Sequence, residues 1–110
     1  MVYVGIDLGG TSIKAGLVDE QGKILCKATC PTLVERGARP VVDDMAKLSL
    51  EVIEKGGYTL DDVKAIGIGL PGIQDPRTGI VPFCTNLGWH EVPLVAEMHK
   101  YIDKPVYVDN

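Results

Sequence analysis

The stretch Ile6-Asp7-Leu8-Gly9-Gly10-Thr11-Ser12-Ile13-Lys14 decides how this chain is read. Immediately upstream, Val2-Tyr3-Val4-Gly5-Ile6 is a short, almost wholly apolar run, the pattern of a strand buried on both faces. Asp7 then falls near the carboxyl end of that strand, where an ionised carboxylate is costly to bury unless a metal ion or a water network pairs with it. Gly9 and Gly10 remove two side chains from the turn, so the backbone can take positive φ and bring its N–H groups close to a bound phosphate. Thr11 adds a hydroxyl donor. The composition suits a nucleotide-phosphate loop. The Gly-Gly pair suits equally the tight turn of an ordinary β-hairpin, and the order Asp-x-Gly-Gly-Thr is what favours the loop.

Working outward, Ile13 to Val18 reads as a second strand, and the glycine turn before it is far too short for a parallel crossover, so the first two strands pair antiparallel. Asp19-Glu20-Gln21-Gly22 is a turn, and Lys23 to Thr29 a third strand. Val41, Met45, Leu48 and Val52 recur at helical spacing, with Pro40 in the first turn and Gly56-Gly57 at the C-terminal cap. That helix crosses over to Val63–Leu70, a strand parallel to the first, in which Gly67 and Gly69 leave one face without side chains for close packing or for a ligand. A second helix runs from about Pro93 to Ile102 with an apolar stripe of Leu94, Met98 and Tyr101 or Ile102, and Pro105 to Val108 is a fifth strand. The expected fold class is α/β, a five-stranded mixed sheet with crossover helices. The chain stops as that strand ends, where a domain normally continues, so a longer parent protein is expected.

Composition narrows the partners. The 110 residues are 45% hydrophobic, enough for one domain with a real core, and the net charge of −4 argues against a nucleic-acid or anionic-membrane surface. No segment approaches the ~20 apolar residues of a membrane span, and no basic leader precedes the first strand, so a cytoplasmic location is expected. Cys26 and Cys30 lie four apart on one strand, which puts their Cα atoms about 13 Å apart, too far to bridge. With His90, His99 and the three cysteines showing no paired ligand spacing, no cysteine or histidine metal site is expected.

If the first, fourth and fifth strands are parallel, their carboxyl ends share one edge of the sheet, where ligands bind in open α/β folds. Three features land there: Asp7 to Thr11, Pro71-Gly72, and Asp109-Asn110. Between Gly72 and Glu91 lies a long connection with a turn at Asp75–Gly79 and a short apolar piece at Ile80-Val81. Connections of that length are usually functional or disordered, and this one is too apolar for disorder. Thr85, Asn86 and Trp89 could offer hydrogen bonds and a ring to a polyol, or Asn86 could cap a turn while Trp89 plugs the core.

Four segments in order resemble the ROK family (repressor, open reading frame, kinase), and within it the glucokinases: Asp7–Lys14, Gly67-Ile68-Gly69-Leu70-Pro71-Gly72, Asn86-Leu87-Gly88-Trp89 and Pro105–Asn110. The resemblance spans the whole chain. It implies an actin-like ATPase fold, a ribonuclease-H-like sheet in each of two lobes, with residues 1–110 as the N-terminal lobe of an ATP-dependent, magnesium-requiring hexose kinase. By the same resemblance, Asp7 takes part in catalysis through magnesium and phosphate, Gly9, Gly10, Thr11 and Lys14 bind phosphates, and Gly72, Thr85, Asn86 and Asn110 bear on the sugar. Asp109-Asn110 match the opening of the family's Glu-Asn-Asp-Ala-Asn motif with aspartate replacing glutamate, which places the general base one residue beyond Asn110. The expected partners are ATP and a hexose, with neither nucleic acid nor membrane, and a homodimer is compatible with the sequence. A sugar-responsive repressor of the same family would need a helix-turn-helix ahead of a strand that here begins at residue 2. A non-enzymatic actin-like nucleotide binder would leave Asn86–Trp89 without a purpose.

Overall fold

Alternation along the first strand sets the architecture. In the computed structural model, which describes residues 1–70, 73–75, 77–84 and 87–109, β1 (Val2–Leu8) buries Val2, Val4, Ile6 and Leu8, while Gly5 and Asp7 stand exposed between them. The expectation of a strand buried on both faces is therefore corrected: both helices lie on one side of the sheet, and the other side carries mostly glycine and polar residues towards its carboxyl edge, with Tyr3, Val18 and Ile24 at the opposite end. Glycine at position 5 had lengthened the apparent apolar run without contributing a buried side chain.

β2 (Ser12–Val18) pairs antiparallel with β1 and with β3 (Ile24–Pro31), completing the meander. β4 (Val63–Gly69) pairs parallel with β1, and β8 (Val106–Asp109) pairs parallel with β4, giving the order β3-β2-β1-β4-β8. The five-stranded mixed sheet read from the sequence is thus the observed one.

Helix α1 (Ala38–Lys55) turns Val41, Val42, Met45, Leu48, Val52 and Ile53 onto the sheet. Its end is a Schellman cap: Tyr58 N–H donates to the Ile53 carbonyl and Gly57 N–H to the Glu54 carbonyl, with Gly57 at φ +83. The next turn is closed by Asp62, whose carboxylate accepts the Thr59 N–H at 2.9 Å and is held below the usual carboxylate range by that bond. Helix α2 (Leu94–His99) is shorter than the periodicity suggests. Lys100 and Tyr101 form tighter bonds back to Glu97 and Met98, and Pro105 bars Lys104 from helical geometry, so Ile102 reaches the core from a turn.

The connection between β4 and α2 is not irregular. It forms a second antiparallel sheet, β5 (Ile73–Asp75), β6 (Ile80–Cys84) and β7 (Trp89–Val92), in the order β5-β6-β7. Val81, Cys84, Trp89 and Val92 are buried and continue the main core. Two features hid these strands from periodicity: their shortness, and Glu91, which sits at φ +52 and breaks the alternation of β7.

Candidate active site

Cross-strand register brings one residue from every strand of the main sheet into a single row at its carboxyl edge. Thr29 opposes Lys14, Lys14 opposes Asp7, Asp7 opposes Gly69, and Gly69 opposes Asp109. Directly opposed residues project from the same face, so Lys14, Asp7 and Asp109 all stand on the side of the sheet that carries no helix, and all three are exposed. At the usual strand spacing, Asp7 and Asp109 are about 10 Å apart at the backbone, and Gly69 leaves the floor between them clear. The Leu70 N–H donates to the Asp109 carbonyl at 3.0 Å, which locks the ends of β4 and β8 level. Because Asp7 is exposed, its carboxylate needs no buried counter-charge.

Beyond Asp7 the chain reverses through Gly9 to Ser12, and the Gly9 N–H donates to the Ser12 carbonyl at 3.0 Å. The positive-φ glycines among the described residues are Gly22, Gly37, Gly57, Gly79 and Gly88, so the expectation that Gly9 and Gly10 use left-handed backbone is corrected. Space rather than φ favours glycine at position 9: a Cβ there would lie 3.2 Å from the Ser12 carbonyl oxygen, which would have to give by a few tenths of an ångström. Thr11 is exposed at the tip. A residue that sequence reading passed over stands behind this loop. Thr32, with no exposed surface, donates its hydroxyl to the Gly9 carbonyl at 2.8 Å and its N–H to the Thr11 carbonyl at 3.0 Å. No pattern marks such a threonine in a sequence, since it acts through a loop 23 residues away.

Of the residues expected in the site, Asp7, Gly9, Gly10, Thr11 and Lys14 are gathered on this edge. Gly72, Thr85, Asn86 and Asn110 lie outside the described residues. Trp89, whose role was open, is 2% exposed and packs in the core, so its ring is not presented to a ligand, and its indole N–H has no partner among the described residues. Cys26, Cys30 and Cys84 are free thiols. Burial, helped by the nearby Asp44 carboxylate, raises the Cys30 pKa and keeps that thiol protonated. No group of three or more metal-ligating side chains occurs among the described residues, and no helix there is long and apolar enough to cross a membrane.

Residues 3–110 match the ROK family. The chain belongs to it. It is 44% identical over 108 residues to a glucokinase of Thermotoga maritima, covering 97% of this chain and 32% of that protein. It is 29% identical to a xylose repressor of Caldicellulosiruptor bescii, covering 97% of this chain and 27% of the repressor. Its fold matches the ROK glucokinase of Streptomyces griseus, solved in complex with glucose and AMPPNP, with a TM-score of 0.88 and 34% identity over 100% of this chain and 33% of that one. The fold is that of the actin-like ATPases. The chain spans about a third of the length of the relatives it matches.

Proposed function

We propose that the full-length polypeptide carrying this chain is an ATP-dependent hexose kinase, with glucose its leading substrate, and that residues 1–110 form its N-terminal lobe. The observation that supports this most is the placement of Asp7, exposed beside the Gly9–Thr11 loop and on one face with Lys14 and Asp109. Phosphoryl transfer requires little covalent help from a protein and depends on positioning and on stabilising charge. In this reading the Gly9–Thr11 backbone and the Thr11 hydroxyl hold the transferring phosphate, and Lys14 adds a cation from the neighbouring strand. Gly72, Thr85, Asn86 and Asn110 bear on the sugar, and the base that takes the sugar hydroxyl proton follows Asn110. A single exposed carboxylate next to a phosphate loop also fits magnesium, an ion usually held by one or two carboxylates together with substrate phosphates and water. When bound, magnesium supplies charge neutralisation on those phosphates. A cytoplasmic location accords with such an activity.

The test is a coupled assay of the full-length protein with ATP and magnesium over glucose, mannose, allose, fructose and an N-acetylhexosamine. Glucose turnover is expected. Correctly folded protein that phosphorylates none of these sugars would overturn the reading. The likeness to the xylose repressor supports one alternative, a sugar-responsive regulator, and sugar-dependent DNA binding without turnover would select it.

A further inference from the structure

We propose that Thr32 is a positioning residue that holds the Gly9–Thr11 loop in its phosphate-accepting shape, an inference that rests on the kinase reading of that loop. Two bonds carry it, from the Thr32 hydroxyl to the Gly9 carbonyl at 2.8 Å and from the Thr32 N–H to the Thr11 carbonyl at 3.0 Å. One residue therefore grips the loop on both sides of Gly10. In a trans peptide the C=O and N–H of one unit point in opposite directions, so holding the Gly9 carbonyl inward turns the Gly10 N–H outward. A loop left to itself would have to fix that orientation at the moment a phosphate arrives. With the carbonyl already pinned, the donor is aimed beforehand, and less conformational freedom is lost on binding.

Thr32 is itself held from behind. The Arg36 guanidinium donates through Nη2 to the Thr32 carbonyl at 2.8 Å and to Asp44 Oδ2 of α1 at 2.7 Å, and through Nε to the Leu33 carbonyl at 3.2 Å. Leu33 pays for the geometry: it stands at φ 53, ψ 60, a left-handed conformation that bulky residues rarely adopt, and it is 44% exposed. The chain thus turns sharply just after Thr32, leaves a leucine outside, and keeps a threonine hydroxyl inside. A continuous set of contacts runs from α1 through Asp44, Arg36 and Thr32 to the loop. Because Thr32 is fully buried, water cannot readily replace its hydroxyl if it is removed.

The experiment compares Thr32→Val, which keeps the shape and deletes the hydroxyl, with Thr32→Ser, which keeps the hydroxyl, in the full-length protein. For Thr32→Val we expect kcat/KM for ATP to fall about tenfold, the size of one lost hydrogen bond, with the KM for hexose unchanged, and for Thr32→Ser a return to near wild-type values. A role in stability alone would shift the melting temperature without separating ATP from hexose. The proposal is overturned if Thr32→Val matches wild type, if Thr32→Ser is as impaired as Thr32→Val, or if ATP and hexose weaken together. Should Thr32→Val not fold, Arg36→Met, which frees the Thr32 carbonyl near the surface, takes its place: a raised KM for ATP alone supports the proposal, and no change overturns it. If wild-type protein turns over no hexose, the kinase reading is what has failed. The grip on the loop is then read from amide exchange in Thr32→Val, where faster exchange at Gly9, whose N–H is bonded to the Ser12 carbonyl, with core amides unchanged supports it and unchanged exchange at Gly9 overturns it.

Discussion

Asp7 and Val108 illustrate how a single residue's meaning depends on the face it occupies. Both lie at the carboxyl end of a parallel strand, yet Val108 packs partly against the core, while Asp7 projects to the bare side of the sheet beside the loop. An exposed carboxylate in the middle of a sheet edge contributes little to stability, so its replacement separates function from folding. Asp7→Asn keeps the size and removes the charge. Under the kinase reading it should lower kcat by two or more orders of magnitude, roughly the effect of losing a group that organises transition-state charge, while hexose affinity and melting temperature stay close to wild type. Wild-type kcat/KM for ATP in Asp7→Asn would return the Gly9-Gly10 turn to the status of an ordinary hairpin.

At the scale of elements, one of the contacts that hold the small sheet on α2 is made at a glycine turn. Gly79, at φ +70, accepts the Val95 N–H of α2 with its carbonyl at 3.1 Å, and a Cβ on Gly79 would lie 2.6 Å from Val95 Cβ and Cγ2. Gly88 has a similar φ of +66 but open space around it. Alanine at either position carries the left-handed penalty of about 1 kcal/mol, and only at position 79 must the turn also lift from the helix, adding roughly 1–3 kcal/mol. Thermal melts of Gly79→Ala and Gly88→Ala should therefore differ clearly, with Gly79→Ala the less stable. Equal losses would mean that the turn is not packed on α2. These strands also mark the limit of what sequence reveals. α1 is legible because 3.6-residue periodicity persists through it, and the five strands of the main sheet because each is a strand-prone run bounded by turn residues or by Pro105. The Asp7–Lys14 segment is legible because its chemistry is local. β5 to β7 are three to five residues long, too short for periodicity to accumulate, and Thr32 reaches the loop only through tertiary contact.

Over the whole molecule, the bare side of the sheet is graded. Its second row runs Lys27, Gly16, Gly5, Gly67, Tyr107, so three glycines lie side by side on the three central strands, next to the row that holds Lys14, Asp7 and Asp109. A shallow depression of about 420 Å³ opens over this belt, bordered by Val18, Ile24 and Lys27. A Cβ added at Gly5 or Gly67 would meet nothing within 4 Å in this chain. Glycine inside a strand is unfavourable by roughly 0.5–1 kcal/mol relative to alanine, so a belt of it needs a reason other than the stability of this chain. The relatives, about three times as long, have chain enough to cover such a floor. Gly67→Ala should accordingly leave the 110-residue chain unchanged or raise its melting temperature. In the full-length polypeptide the same substitution should lower it, by the roughly 1–3 kcal/mol typical of an overpacked contact, if a segment from outside this chain lies on the belt. A gain of stability in both contexts would show instead that the belt stays open and that its smoothness serves the approach of a ligand to the Asp7 edge.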